Sequence, residues 1–269
     1  MMVKYKLGFL LILLTFVGLS PAKAQFWEVS LLTADPGTEL YSSFGHSAIR
    51  MREIGPDGRD LVFNFGTFDF DTPNFYGKFA TGKLNYMLSM TTYDQFIIEY
   101  DYYKRGLREQ VLDLNQEQKD FLLQHMDAQY DPARRYYKYD FFYNNCATKI
   151  RDAFEISMGD QLVWNDSTAG EEKTFRNLID EFLIPLPWAD FGIDLALGAV
   201  IDHPATSREK QFLPTYMEQA FANATIVENG VSRPLVKQSR VLLEYPKEES
   251  QPSLFNPFVV FWLLALIFA

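Results

Sequence analysis

The chain has 269 residues, with 25 Lys and Arg against 35 Asp and Glu and a net charge of −10. So acidic a chain lacks the cationic surplus that contact with nucleic-acid phosphates needs, and it has no general attraction for anionic lipid headgroups. Any membrane contact must come from apolar surface, which the 24 Phe and 15 Tyr can supply.

Met1 to Lys6 is a short basic stretch, Leu7 to Leu19 an apolar run, and Ala22-Lys23-Ala24 an A-x-A site before Gln25. This is the three-part layout of a secretory signal peptide over residues 1–24. That leader holds three lysines and no acid, so the mature chain is more acidic still, at about −13. Residues 25–246 then read as the folded part. Trp27 to Thr33 is a strand. Gly45 to Arg52 and Leu61 to Gly66 flank a Pro56-Asp57-Gly58 turn and make a β-hairpin. Asn115 to Tyr130 is a helix with Asn115 as N-cap and an apolar face of Phe121, Leu122 and Met126. Cys146 to Met158 is amphipathic through Ile150, Ala153, Phe154 and Ser157. Thr174 to Leu183 and Asp194 to Ile201 are further helical segments, and Thr225 to Tyr245 alternates as strand. Strands early and helices later make the class α+β.

Residues 247–254 are a polar, Pro-containing linker. From residue 255 the chain turns apolar and ends at Ala269. That run is shorter than the roughly 20 apolar residues of a span, and it reads as the start of a transmembrane helix.

The exported chain has one cysteine, Cys146. An oxidising compartment uses cysteines in pairs, so a lone thiol needs a reason. Asn144 or Asn145 is placed to cap the helix that Cys146 opens, where the helix dipole lowers a thiol pKa and free N–H groups form an oxyanion hole. The alternative is a buried small hydrophobe.

A thiolate nucleophile uses a base, usually histidine, and there are three. His125 lies on the apolar stripe of its helix and reads as a core histidine. His203 sits in the loop Asp202-His203-Pro204. His46 follows Gly45 at the start of a strand and is well placed to reach a helix N-terminus. Spacing alone does not choose among them. Asn64 is the candidate to orient the imidazole, with Thr67 and Asp69 as rivals. A symmetric turn at Gly55–Gly58 pairs Ala48 with Phe65 and turns Asn64 away from His46, whereas an odd loop brings it round. Three histidines and one cysteine so dispersed form no zinc pattern. No Gly-rich phosphate loop precedes a helix. No metal and no cofactor are expected.

Three blocks together carry a resemblance: Phe44-Gly45-His46-Ser47-Ala48-Ile49-Arg50, Val62-Phe63-Asn64-Phe65-Gly66-Thr67-Phe68-Asp69-Phe70, and Tyr143-Asn144-Asn145-Cys146-Ala147. They closely resemble the Lnb N-terminal periplasmic domain family, as do Asp190 to Gly198 and Phe212-Leu213-Pro214. The resemblance implies a circularly permuted papain-like (NlpC-like) Cys–His fold, with His46 preceding Cys146. It implies a lipoprotein N-acyltransferase of the bacterial inner membrane with its catalytic domain in the periplasm. A phospholipid would be the acyl donor and a diacylated lipoprotein the acceptor. Phe191, Ile193, Leu195 and Leu197 are candidate lipid-proximal residues, though ordinary core positions fit them better. The other functions in view are a papain-like cysteine hydrolase, acting as a peptidase or peptidoglycan amidase, and a non-catalytic lipid- or lipoprotein-binding module.

Overall fold

The computed structural model describes residues 26–68, 72–74, 84–165, 172–246 and 255–268. The signal-peptide segment, Asp69 and the linker 247–254 lie outside the described residues.

Ten strands occur among the described residues: β1 (Trp27–Ala34), β2 (His46–Glu53), β3 (Asp60–Thr67), β4 (Asn85–Thr92), β5 (Leu107–Leu112), β6 (Tyr136–Lys138), β7 (Leu162–Val163), β8 (Thr225–Glu228), β9 (Val231–Pro234) and β10 (Val236–Leu243). Eight helices accompany them: α1 (Tyr93–Tyr102), α2 (Gln116–Tyr130), α3 (Cys146–Met158), α4 (Phe175–Leu183), α5 (Pro187–Leu197), α6 (Ser207–Lys210), α7 (Pro214–Asn223) and α8 (Pro257–Phe268). The α+β class holds. The main sheet has seven strands in the order β10-β5-β1-β2-β3-β4-β6, and every neighbouring pair is antiparallel. β7, β8 and β9 form a separate small sheet.

β1 is central and buried on both faces. On one face Val29, Leu31, Ile49, Met51, Phe63 and Phe65 pack under α2, α3 and α7. On the other, Leu32, Ala34, Ala48 and Val62 pack under Phe96 and Tyr100 of α1. A second lobe gathers Phe175, Leu178, Ile179 and Leu183 of α4 with Ile201, Phe212, Leu213 and Tyr216. Phe44, Phe141 and Phe142 fasten that lobe to the segments just before β2 and α3. Phe141 meets Phe44 and Phe212 edge-on, at ring-centroid distances of 4.7 and 5.4 Å.

Several expectations need correction. In α2, Leu122 and Met126 are buried but Phe121 is 52% exposed, so the apolar stripe is narrower than its sequence suggests. The apolar segment 194–201 is the end of α5, which begins at Pro187, a residue suited to a first helical turn. α5 stops at Gly198, whose φ of +59° breaks it into a 3₁₀ turn. β5 carries no apolar alternation because Glu109 and Gln110 are buried and, with the half-buried Arg108, paired. Glu109 meets Arg50 at 2.8 Å and Arg240 at 3.5 Å, and Arg108 meets Asp35 at 2.5 Å and Glu218 at 2.8 Å. Gln110 donates to the Glu218 carbonyl. Among the described residues, no helix is long and apolar enough to cross a membrane.

Candidate active site

α3 begins at Cys146 because Asn145 caps it. Asn145 Oδ1 accepts the Thr148 N–H at 2.9 Å, and Thr148 Oγ1 accepts the Asn145 N–H at 2.8 Å. This reciprocal box satisfies two helix-end donors. The Asn145 side-chain amide also donates to the carbonyls of Phe141 and Phe212, at 2.8 and 2.7 Å. Of the two possible caps, the fold uses Asn145. Asn144 turns instead to the Lys138 carbonyl.

Cys146 therefore stands in the first turn, half-buried. The main-chain N–H groups of Ser47, Ala147 and Cys146 itself are directed at its sulfur and favour the thiolate. Burial outweighs them and pushes the thiol above its ordinary value. The expected depression by the helix terminus is thus present but overcome. Ser47 is the residue after His46, so the N–H from the start of β2 ties the two segments together.

His46 opens β2, directly opposite Ala34 of β1. Gly45 before it has φ +80°, and a Cβ there would fall 2.8 Å from the Ala34 carbonyl oxygen. Only glycine suits that turn. The His46 ring is half-buried, and its Nε2 lies 3.2 Å from Asn64 Oδ1. An amide oxygen accepts, so Nε2 carries the proton and Nδ1 keeps its lone pair. Burial, helped by Arg105 and opposed by the hydrogen bond to Asn64, lowers the imidazole to about 4.

Asn64 reaches His46 because the hairpin register is one residue off the symmetric expectation. Ile49 pairs with Phe63 and Arg50 with Val62, which sets Ala48 opposite Asn64 rather than Phe65. Cross-strand partners share a face, so Asn64 and His46 lie on one side. Two residues on, Gly66 has φ +89° at an irregularity in the β3–β4 pairing. A Cβ built on Gly66 would lie 3.7 Å from Cys146 Cβ. The sheet end bearing His46 and Asn64 is therefore also where α3 sets its first residue.

The other candidates are engaged elsewhere. Thr67 shares a hydrogen bond with Ser89, Oγ1 to Oγ 2.7 Å. His203 is exposed, bonds through Nδ1 to the Val200 carbonyl at 2.8 Å and lies against Phe175. His125 is half-buried rather than a true core residue, and burial and Lys149 lower its pKa.

Three neighbours escape sequence reasoning. The Tyr137 hydroxyl is buried beside the Gly66 backbone, and Tyr139 stacks on Tyr86 at 4.3 Å. Burial and the nearby Cys146 hold both phenols protonated. Arg105 is close enough to depress both His46 and Cys146. It stands in an exposed-looking loop sequence, and nothing local marks it. Elsewhere, Asp180 of α4 and Asp190 and Asp194 of α5 bring carboxylate oxygens within 4.8 Å of one another. Arg176 pairs with Asp194, and burial and the neighbouring acids raise Asp180 to about 6. Asp180 and Asp190 also share a hydrogen bond.

Comparison with known families adds one result: residues 21–181 match the model of the Lnb N-terminal periplasmic domain. The chain belongs to the Lnb N-terminal periplasmic domain family. The Lnb match takes in β1, β2, β3 and α3, and hence His46, Asn64 and Cys146. It places this part of the chain among periplasmic domains. No curated protein and no solved structure matches the chain.

Proposed function

We propose that this Lnb-family domain is a thiol-dependent acyltransferase. It moves a fatty acyl chain from a membrane phospholipid, through a thioester on Cys146, to the N-terminal amino group of a bacterial lipoprotein. The supporting observation is the sulfur of Cys146 at a helix N-terminus, contacted by the N–H after His46, with His46 bonded to Asn64.

In the first half, His46 Nδ1 takes the thiol proton as sulfur attacks the ester carbonyl. Main-chain N–H groups of the first turn of α3 face the oxyanion. The ester C–O bond breaks, and the lyso-lipid alkoxide leaves with the proton from His46. In the second half, the amine of a diacylated lipoprotein attacks the thioester and passes a proton to His46. The C–S bond then breaks and Cys146 recovers its proton. Two easier exchanges replace one difficult one. An imidazole that stays neutral at pH 7 is free to accept the first proton. The chain order His46, Asn64, Cys146 suits a permuted papain-like site.

Apolar surface supports a lipid donor and a site at the bacterial inner membrane, with the catalytic domain on the periplasmic side. α5 meets α8 around an open cavity of about 650 Å³ lined by Ile184, Phe191, Phe258, Phe261 and Trp262. Phe191 and Leu195 are 39% and 75% exposed, whereas Ile193 and Leu197 pack into the second lobe. The two outward residues thus fit a lipid-facing role, and the other two are half-buried against the second lobe.

The test is intact-protein mass measurement after incubation with phospholipid. A hydroxylamine-labile acyl adduct on Cys146, passed on to a synthetic diacylated lipopeptide, is expected. No adduct, together with unchanged activity in Cys146→Ala, would sink the proposal. Release of the acyl group only to water would assign a hydrolase.

A further inference from the structure

Among the described residues, no acid neutralises the positive charge of Arg105, which stands at the catalytic end of the sheet. Leu107 of β5, Ala34 of β1 and His46 of β2 stand in one row across three strands, and Arg105 lies two residues beyond that row. Its guanidinium is fixed. Nε and Nη2 both donate to the Asp35 carbonyl, at 2.9 and 2.7 Å, and Cζ lies 4.9 Å from the centroid of the Tyr100 ring. A Cβ on Gly37 would come within 3.4 Å of Arg105 Cδ, so the stem is held as well. The carboxylate of Asp35 turns to Arg108 instead, 2.5 Å from Nη1.

The contrast with the other arginines of the sheet is clear. Arg50 and Arg108 each meet two carboxylates. Among the described residues, Arg105 meets none, and its Nη1 edge has no partner. Its field nevertheless reaches both His46 and Cys146. A half-buried guanidinium, held by a neutral carbonyl and facing no carboxylate among the described residues, is built to receive an anion from outside. Phosphate suits the geometry of such a fork.

We propose that Arg105 binds the phosphate of the donor's phosphodiester headgroup and so holds the donor's ester carbonyl against Cys146. This rests on the lipid-ester reading of the donor given above. A neutral ester would gain nothing from Arg105.

The experiment reads binding rather than turnover, using the full chain with Cys146→Ala. Isothermal titration compares dihexanoyl-phosphatidylcholine below its micellar concentration, dihexanoylglycerol and inorganic phosphate. Arg105→Gln is expected to weaken the phosphatidylcholine about 10-fold or more, the range for a hydrogen bond to a charged group, and to leave dihexanoylglycerol unchanged. Arg105→Lys should fall between. Equal loss for both lipids, no loss for either, or no lipid binding at all overturns the proposal. Inorganic phosphate binding as tightly as the lipid overturns the headgroup assignment and leaves a simple anion site. Failure of the wild-type protein to form a thioester would sink the acyl-transfer reading without touching this readout.

Discussion

The imidazole of His46 is held by the side-chain amide of Asn64, Nε2 to Oδ1 3.2 Å, across the β2–β3 hairpin. The contact decides the tautomer, and through it which nitrogen faces the chemistry. In the proposed mechanism Asn64 acts through His46 as a positioning residue. Asn64→Ala is expected to slow thioester formation on Cys146 about 10- to 100-fold, part of what general base catalysis supplies. Asn64→Asp should raise the His46 pKa from its value of about 4, because a carboxylate favours the imidazolium. Titration of the imidazole by NMR checks this; a purely structural role for Asn64 would leave that pKa unmoved.

His46 also makes stability depend on pH. In the unfolded chain it takes a proton near 6.5, but in the fold only near 4. Between those values the unfolded state binds more protons, so protonation favours unfolding. The His46 contribution is fully present above about pH 6.5 and is lost as pH falls towards 4. Urea midpoints of the wild-type protein and His46→Asn, compared from pH 7 to pH 4, should converge as the pH falls.

Asn145 joins three segments through one side chain. Asn145→Ala removes the N-cap, at about 1 kcal/mol, and orphans the Phe141 and Phe212 carbonyls, at about 1 kcal/mol or more each. A total loss near 3 kcal/mol is expected in chemical denaturation. Asn145→Ser restores the cap alone and should recover only about 1 kcal/mol.

Glu109 is fully buried and Arg50 nearly so, and Asp60 and Arg240 complete the network. Breaking such a network from one side costs about 3–5 kcal/mol because a charge is left buried and unpaired. Arg50→Met and Glu109→Leu should each be destabilising, and the double substitution should cost clearly less than their sum. Additive losses in the denaturation cycle would show that the two residues act independently.

Resistance of Cys146 to alkylation follows from its environment. Burial raises the thiol pKa despite three N–H groups directed at sulfur. Iodoacetamide should therefore react slowly at neutral pH, and its rate should climb with pH to beyond the ordinary thiol range. Fast, pH-independent alkylation at pH 6 would indicate a resting thiolate.

Local signals were legible in the sequence. The Asn145–Cys146 helix start, the hairpin and the Asn115-capped α2 all depend on residues within a few positions of one another. β5 was not legible, because its charged side chains find partners as distant in sequence as Glu218 and Arg240. β10 pairs with β5 from more than a hundred residues away, so helices following strands hid a sheet that the end of the folded part completes.

The sequence by itself determined that one thiol stands at a helix N-terminus in an acidic chain, since capping and composition are local or additive. Tertiary structure alone decided the rest. It set Asn64, rather than Thr67, within hydrogen-bond reach of His46, because a one-residue change of register turns every side chain to the other face. It also brought Arg105 beside His46 by pairing β5 with β1, and it raised the Cys146 thiol by burying it. Each of these depends on which distant segments meet, and that depends on long-range strand pairing rather than on any short stretch of chain.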